Sequence, residues 1–188
     1  FKTRRMRLKD KTAIITGGGS GIGLATARAF CKEGAKVILF GRRKENLVSA
    51  ANELGDSVLI VQGDMTHNDD LDQLINKTLN NFKGIDILVN SAGLFNGAPL
   101  HEISDSQWDG IMDINIRSVF QLTRRVLPTM IAQKNGSIVH ISSIAGLIAL
   151  PGVAAYNVSK GAMNQFSRSI AVEYGSYGIR SNSICPGL

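Results

Sequence analysis

The sequence predicts one α/β domain whose centre is a doubly wound parallel sheet with helices packed on both faces. Short runs rich in β-branched and apolar residues alternate with longer helical patterns, which is typical of strands joined by crossover helices. The runs are apolar along most of their length, as expected for strands that are buried on both faces. At 188 residues and 44% hydrophobic content, the chain is long enough to form one substantial core.

The alternation resolves into six strands and five helices. The strands are predicted at Thr12–Thr16, Lys36–Phe40, Val58–Gln62, Ile85–Asn90, Gly136–Ser142 and Arg180–Cys185. The helices are predicted near Gly21–Gly34, Arg43–Leu54, Asn68–Phe82, Ser106–Gln133 and Val153–Tyr174. Within the fourth helix, Pro128 is expected to cause a kink or to mark a second helix start.

The positive charge of the chain is concentrated at its beginning. Basic residues among the first eleven positions account for most of the formal charge of +6. We interpret residues 1–7 as a basic arm that precedes a domain formed by residues 8–188. No basic stripe interleaved with aromatic residues follows, so no nucleic-acid partner is expected. The longest apolar stretch, Ile144–Ala155, is interrupted by glycine and proline and is too short for a membrane span.

Cysteine and histidine residues give no sign of a metal site. Cys31 and Cys185 are far apart and lack the spacing of metal ligands, which predicts free thiols in a reducing compartment and a cytoplasmic protein. His67, His101 and His140 are scattered and have no companion set of ligands. Each histidine is expected to be structural or solvent-exposed.

A glycine-rich turn lies between the first strand and the first helix. Glycines there permit a tight turn and a close approach to a pyrophosphate, whose charge is favoured by the N–H groups of the helix start. The absence of a following Lys-Ser or Lys-Thr pair excludes a P-loop. The cofactor-binding residues predicted from this turn are Thr16, Gly17, Ser20, Gly21, Ile22 and Gly23.

A tyrosine and a lysine share one face of the fifth predicted helix. Tyr156 and Lys160 are four residues apart, and a lysine ammonium beside a phenol favours the phenolate, which makes the tyrosine a usable proton donor and acceptor. Ser143 follows the preceding strand at the edge where parallel sheets present side chains to a ligand. Phe95 and Trp108 either border the same cleft or belong to the core.

Together these motifs resemble the short-chain dehydrogenase/reductase family, in the branch of 3-oxoacyl-acyl-carrier-protein reductases and glucose dehydrogenases. The order and spacing match along the chain from about Leu8 to its end. The resemblance implies a Rossmann fold and a nicotinamide-dependent oxidoreductase acting on a small-molecule carbonyl or alcohol. The motifs that carry it are T-G-x-x-x-G-x-G at Thr16–Gly23, Asn90-Ser91-Ala92-Gly93, Asn115, Ser143, Tyr156-x-x-x-Lys160 and Pro186-Gly187.

The resemblance also implies residue roles. Tyr156 would carry the proton, Ser143 would orient the substrate oxygen, and Lys160 would bind the nicotinamide ribose. Asn115 would position a water near the lysine through a local helix distortion. Asn90 would support the central strand, and for this residue a structural and a catalytic role are equally open. Further cofactor contacts are implied for Asp64, Met65, Ala92, Gly93, Pro186 and Gly187.

The end of the second strand bears on cofactor choice. An NAD site usually has an acid about twenty residues past the glycine turn, and Gly41 occupies that position here. Arg42 is the better candidate to bind a 2′-phosphate, and Arg43 either is a second one or begins the next helix and faces solvent. NADP(H) is therefore favoured, and Ser20, where many NADP-preferring relatives carry a basic residue, leaves NAD(H) open as a second cofactor.

Two further expectations concern the oligomeric state of the protein and how much of the usual family fold the chain contains. Family members pair their two long helices across a two-fold axis, so a homodimer or homotetramer is expected. The fifth helix carries more apolar residues than one sheet face needs, namely Ala155, Val158, Ala162, Met163, Phe166 and Ile170. Family members also usually continue past Pro186-Gly187, so the C-terminal part of the usual fold is expected to be missing. The alternative function is a truncated or non-catalytic dinucleotide-binding module.

Overall fold

The computed structural model describes residues 6–187. Six parallel strands form one sheet in the order β3-β2-β1-β4-β5-β6. The strands are β1 (Thr12–Thr16), β2 (Lys36–Gly41), β3 (Val58–Gln62), β4 (Ile87–Asn90), β5 (Gly136–Ile141) and β6 (Ile179–Ile184). The doubly wound parallel sheet predicted from the sequence is therefore confirmed.

Six α-helices connect the strands. Their bounds are α1 (Gly21–Lys32), α2 (Lys44–Leu54), α3 (Asn68–Phe82), α4 (Asp105–Met112), α5 (Ser118–Gln133) and α6 (Ala154–Tyr174). None of the helices within residues 6–187 is both long and apolar enough to cross a membrane.

The core has two halves, one on each face of the sheet. On one face, Ala27 of α1 and Leu47 of α2 pack on Ile15 and Leu39. On the other face, side chains of α3, α5 and α6 pack on residues that include Ile14 and Leu88. Because neighbouring residues of a strand point to opposite faces, strands buried on both sides must be apolar throughout, as predicted.

The strand order reverses between β1 and β4. Both strands run in the same direction, so their carboxyl ends and the loops that follow them meet at one edge of the sheet. In doubly wound sheets, ligands bind in the crevice at such a switch point. The glycine turn after β1 and the loop after β4 are therefore the expected walls of a cofactor site.

The fourth predicted helix differs most from its prediction. It is divided by a π-helical segment, Asp113–Arg117, whereas Pro128, where a break was expected, lies within α5. Ser104 caps α4 through a capping box with Gln107, in agreement with the predicted helix start. The fourth strand begins at Ile87 rather than Ile85, whose backbone pairs with the Gln133 side chain instead of a neighbouring strand.

The basic arm lies largely outside the described residues, which exclude positions 1–5. Arg7, the last residue of the predicted arm, donates hydrogen bonds from its backbone and its guanidinium to Glu33 at 3.0 and 3.2 Å. The division into an arm and a domain at residue 8 stays a prediction.

Candidate active site

The glycine turn after β1 is shaped by close backbone contacts. Gly17 adopts a φ of +64°, and a Cβ there would lie 3.1 Å from the backbone of Ala92. A Cβ at Gly23 would lie 2.4 Å from the carbonyl oxygen of Gly17. Any side chain at Gly23 would therefore push α1 off the turn.

The start of α1 is open on its outer side. Gly21 has a φ of +52°, and a Cβ built on it would meet no heavy atom within 4 Å. Ser20 precedes the helix without capping it through its side chain. The first N–H groups of a helix need partners from outside it, and they favour an anion. The turn therefore fits a dinucleotide pyrophosphate, which Gly17, Gly21 and the start of α1 would hold.

A cavity of about 660 Å³ extends from this turn across the carboxyl ends of the strands. Ten of the predicted cofactor residues line it, namely Gly17, Ser20, Gly21, Ile22, Arg42, Arg43, Asp64, Met65, Ala92 and Gly93. The cavity has the size of a small-molecule site and lies at the switch point between β1 and β4. The cavity therefore coincides with part of the predicted cofactor site.

Arg42 and Asp64 both line the cavity and face one another. The Arg42 guanidinium is 3.7 Å from Asp64 Oδ2. Asp64 Oδ1 accepts hydrogen bonds from the backbone and the hydroxyl of Thr66 at 2.9 and 2.8 Å. Partial burial opposes ionisation of Asp64, but the Thr66 hydrogen bonds and the charges of Arg42 and His67 outweigh it and lower the pKa of the carboxyl.

Arg43 bridges the start of α2 and the glycine turn. Its Nη2 lies 3.5 Å from Ser20 Oγ. With the Asn46 amide oriented to satisfy both groups, Asn46 Oδ1 accepts from Arg43 Nε and Nη2, each at 3.2 Å. Although Arg43 is exposed and directly precedes α2, its guanidinium is thus held beside the cavity by two uncharged groups.

Thr16 and Asn90 are predicted site residues that the fold uses internally. Thr16 Oγ1 accepts from the backbone N–H groups of Ser91 and Ala92, each at 3.0 Å, and so fixes the loop after β4. Asn90 is fully buried, and its Nδ2 lies 3.2 Å from His140 Nδ1. Neither residue lines the cavity. The contacts of Asn90 favour the structural of its two interpretations.

His140 is buried beneath the site. Burial, aided by the charge of Lys160, lowers the pKa of His140 to about 4, so its ring is neutral at neutral pH. The ring packs edge-on against Phe166 with centroids 5.8 Å apart. Each histidine was expected to be either structural or solvent-exposed, and the burial of His140 favours the structural role.

Asn115 lies in the π-helical segment, where a helix distortion was predicted. Its Oδ1 accepts from the Leu94 backbone N–H at 2.7 Å, and its Nδ2 donates to the Leu94 carbonyl and to Ser159 Oγ at 2.9 and 3.0 Å. Both amide hydrogens are thereby used by the protein. Any contribution of Asn115 to a proton relay therefore comes from the distorted backbone and not from its side chain.

Lys160 is the buried charge of the site. Its side chain is 5% exposed, and its Nζ donates to the Ile141 carbonyl at 2.8 Å. A Cβ on Gly93 would lie 3.7 Å from this ammonium, which places Gly93 next to the lysine. Burial lowers the pKa of Lys160 to about 8, and the nearby Cys185 opposes that shift only in part.

Tyr156 and Ser143 are the two remaining residues that were predicted to be catalytic. Lys160 Nζ lies 5.5 Å from the centroid of the Tyr156 ring, one helical turn away on the same face. Ser143 Oγ accepts from the Ala145 N–H at 3.1 Å and thereby caps a 3₁₀ turn, Ile144–Gly146. The Ile144 N–H donates to the Pro186 carbonyl at 2.9 Å, which ties this turn to the segment after β6.

The residues that line the cavity and the predicted cofactor residues overlap only in part. Seven predicted cofactor residues lie outside the cavity lining: Thr16, Gly23, Asn90, Tyr156, Lys160, Pro186 and Gly187. The lining also contains residues that the sequence reasoning missed, namely Gly19, Gly41, Asn46, Leu47, Gly63, Ser91, Leu94 and Ile114. Asn46 carried a usable signal, since it follows Arg43 by three residues on one helix face.

Known proteins share this arrangement. The family model for short chain dehydrogenases matches residues 11–188. An uncharacterized oxidoreductase of Staphylococcus aureus strain USA300 is 37% identical, over 96% of this chain and 79% of that protein. The 2-(R)-hydroxypropyl-CoM dehydrogenase of Xanthobacter autotrophicus is 40% identical, over 95% and 74%. The crystal structure of gox2181 superposes with a TM-score of 0.93 at 34% identity, over 97% and 73%.

The chain therefore belongs to the short-chain dehydrogenase/reductase family and is an NAD(P)-dependent oxidoreductase. The Rossmann fold and the family predicted from the motifs are both confirmed. Membership of a family of enzymes favours catalysis over the alternative of a non-catalytic binding module.

Proposed function

We propose that the protein transfers a hydride between NADP(H) and a carbonyl or secondary alcohol, with Tyr156 carrying the proton. The observation that carries the proposal is the buried Lys160 ammonium, 5.5 Å from the Tyr156 ring and beside Gly93 at the edge of the cofactor cavity. A buried lysine next to a tyrosine in a cleft is an arrangement suited to proton transfer. Oxidation of the reduced cofactor in the presence of a ketone, followed by absorbance, tests this activity.

Proton movement is the task of the protein side chains. The nicotinamide, when bound, supplies or accepts the hydride. In carbonyl reduction, the Tyr156 hydroxyl donates its proton to the oxygen, and in alcohol oxidation the phenolate removes the hydroxyl proton. Ser143 Oγ accepts the Ala145 N–H through a lone pair, which does not use its own hydrogen. The Ser143 O–H can therefore donate to the same substrate oxygen.

Lys160 holds the ribose hydroxyls, and its charge beside the Tyr156 ring stabilises the negative charge that develops on the tyrosine oxygen as the proton leaves. The Ile141 carbonyl accepts one of its three hydrogens, and the others are available for the ribose. Asn115 fastens the distorted helix segment to Leu94, and thus keeps the loop after β4 beside the lysine. In this proposal Lys160 acts on cofactor and tyrosine together.

Preference for NADP(H) is proposed from the two arginines at the end of β2. An acid at the Gly41 position would repel a 2′-phosphate, whereas Arg42 and Arg43 both line the cavity there. Arg43 is held by the uncharged Ser20 and Asn46, while Arg42 faces Asp64 at 3.7 Å. A 2′-phosphate must therefore compete with the Asp64 carboxylate for Arg42. The two groups that hold Arg43 are uncharged and do not compete in this way.

Replacing either arginine by alanine is expected to reduce kcat/KM for NADPH by roughly ten- to a hundredfold, since a charge-assisted hydrogen bond contributes about 1.5–3 kcal/mol. The corresponding value for NADH should change little. Steady-state kinetics with both cofactors measures this selectivity. Lys44→Ala is the matched control, because Lys44 is the next cation along the chain, is exposed and does not line the cavity. Equal or better efficiency with NADH in the wild type contradicts the proposal.

A homodimer or homotetramer through α5 and α6 is proposed as well. Three of the six apolar residues noted on α6, namely Ala155, Met163 and Ile170, are buried within the subunit, which corrects that part of the expectation. Val158 of α6 and Phe120 of α5 are exposed, and Phe120 packs edge-on against Phe166 with centroids 6.5 Å apart. These residues form an apolar surface shared by the two helices.

Light scattering at micromolar concentration is expected to give a mass of two or four times 20.2 kDa. Val158→Arg should lower that mass, because it places an unpaired charge in the contact. Val48→Arg on α2 is the matched control, since Val48 is also exposed but lies on a helix of the opposite sheet face. A monomeric mass for the wild type rejects this assembly.

A cytoplasmic location is proposed from the two cysteines, which are both free.

A further inference from the structure

Two loops beside Tyr156 present large apolar side chains to solvent. The loop after β4 carries Phe95, which is 64% exposed. Leu147 and Ile148, 62% and 55% exposed, directly follow the 3₁₀ turn that Ser143 caps. We call these three residues the apolar wall. Large apolar side chains exposed on two adjacent loops favour a ligand groove or a protein contact there.

Phe95 is in direct contact with the proposed proton donor. Its ring meets the Tyr156 ring edge-on at 85°, with centroids 4.9 Å apart. Phe95 therefore lies directly beside the hydroxyl-bearing ring at which a carbonyl would react. This contact favours the substrate, rather than another protein surface, as the occupant of the wall.

The wall is held in place from both sides. Ala98 and Val153 form a parallel bridge, and a Cβ on Gly97 would lie 2.9 Å from the Gly152 carbonyl oxygen. Asn157 donates to the Leu150 carbonyl at 2.8 Å and accepts from its N–H at 3.3 Å. The two loops are thus fastened to each other and to α6.

The same loops contain no charge. Neither residues 91–100 nor residues 141–159 include Asp, Glu, Lys, Arg or His. A carboxylate or phosphate on the substrate would need a cation to replace its hydration, and these loops offer none.

Most polar side chains of the second loop are also in use. Ser142 donates to the Lys160 carbonyl at 3.1 Å, and Ser159 donates to the Tyr156 carbonyl at 2.9 Å. The Asn157 amide is engaged with Leu150. Within this loop, Ser143 is left with a free donor for the reacting oxygen of the substrate.

From these observations we infer that the substrate is an uncharged ketone or secondary alcohol with an alkyl or aryl group that packs on the apolar wall. The inference rests on the proposed function, because it names the substrate class of the Tyr156 site. It also makes Phe95 a residue that determines specificity through contact with that group.

The test compares two ketones that differ only in the second substituent of the carbonyl. Acetophenone carries a methyl group there, and benzoylformate carries a carboxylate. Dissociation constants are measured by ligand-observed NMR with the oxidised cofactor present, so that neither ketone can be reduced. Acetophenone is expected to bind at least roughly tenfold more tightly, since desolvating an unpaired carboxylate is unfavourable.

Wall variants make the comparison specific. Phe95→Ser should weaken acetophenone binding by roughly tenfold, Phe95→Leu should restore most of the affinity, and Leu147→Arg should shift the preference toward benzoylformate. Val172→Ser is the control, because Val172 is the most exposed of the large apolar residues of α6 but lies near its far end. Thermal melting of each variant shows whether it folds.

The outcomes separate the two proposals. If benzoylformate binds as tightly as acetophenone, or if Phe95→Ser lowers only the melting temperature, the apolar wall is not a substrate surface and the inference is overturned. If the wild type oxidises no reduced cofactor with either ketone while the binding results hold, the proposed function fails and the binding surface stands.

Discussion

Replacing Tyr156 with phenylalanine is expected to lower kcat by roughly two to four orders of magnitude, the usual contribution of a positioned proton donor. The ring is kept, so its edge-on contact with Phe95 is retained, and only the transferable proton is lost. The dissociation constant of the cofactor should be nearly unchanged. Steady-state turnover and cofactor fluorescence titration measure the two quantities separately.

Tyr177→Phe provides the matched control for this substitution. Tyr177 is exposed and lies in the turn that follows α6, at the opposite end of the helix from Tyr156. Removing its hydroxyl should leave kcat as it is. Wild-type turnover by the Tyr156→Phe protein rejects the assignment of the proton donor.

Replacing Lys160 with methionine is expected to damage turnover and cofactor binding together. Methionine fills a similar volume but cannot donate hydrogen bonds, so the Ile141 carbonyl loses its partner and the ribose loses a charged donor. The loss of a hydrogen bond to a charged group predicts a cofactor affinity lower by roughly ten- to a hundredfold, and kcat falls in addition because proton transfer at Tyr156 loses the charge beside the ring. Lys44→Met, on the exposed start of α2, is the control.

The defect of the Lys160→Met protein should depend on pH. Burial lowers the pKa of Lys160 to about 8, so the ammonium of the wild type is present below about pH 8 and is lost above it. The difference between wild type and variant is therefore largest below that value and narrows as pH rises through it. The unfolded lysine keeps its proton up to its ordinary pKa of 10.5. Lys160 therefore also makes the free energy of unfolding rise between about pH 8 and that value. A difference that stays constant from pH 6 to pH 10 contradicts the account.

Much of the fold was predictable because both sides of the sheet are covered. A strand such as β2, with Val37, Ile38, Leu39 and Phe40 all buried, can only be an uninterrupted apolar run. The division of the fourth helix could not be predicted in the same way. Residues 113–117 have an ordinary helical sequence pattern, and the π turn coincides with the attachment of Asn115 to Leu94, which is distant in the chain.

The residues of the site, too, could be predicted only where local geometry fixes their position. Motif spacing identified Tyr156, Lys160 and Ser143, because residues that share a helix face or end a strand are fixed by local geometry. It could not decide whether Arg43 faces solvent or the cavity, since that depends on Ser20 and Asn46 meeting it in space. It also left Phe95 open between core and cleft, which only its exposure and its contact with Tyr156 resolve.

The central claim is that Tyr156 passes the proton in a hydride transfer to or from a carbonyl carbon. The most direct measurement is a single turnover with reduced cofactor carrying deuterium in the transferable position, using acetophenone as substrate. The account predicts that wild-type protein yields alcohol with deuterium on the carbinol carbon, and that the Tyr156→Phe protein, at saturating cofactor, does so roughly a hundredfold or more slowly. Alcohol without deuterium, or equal rates for the two proteins, would contradict it.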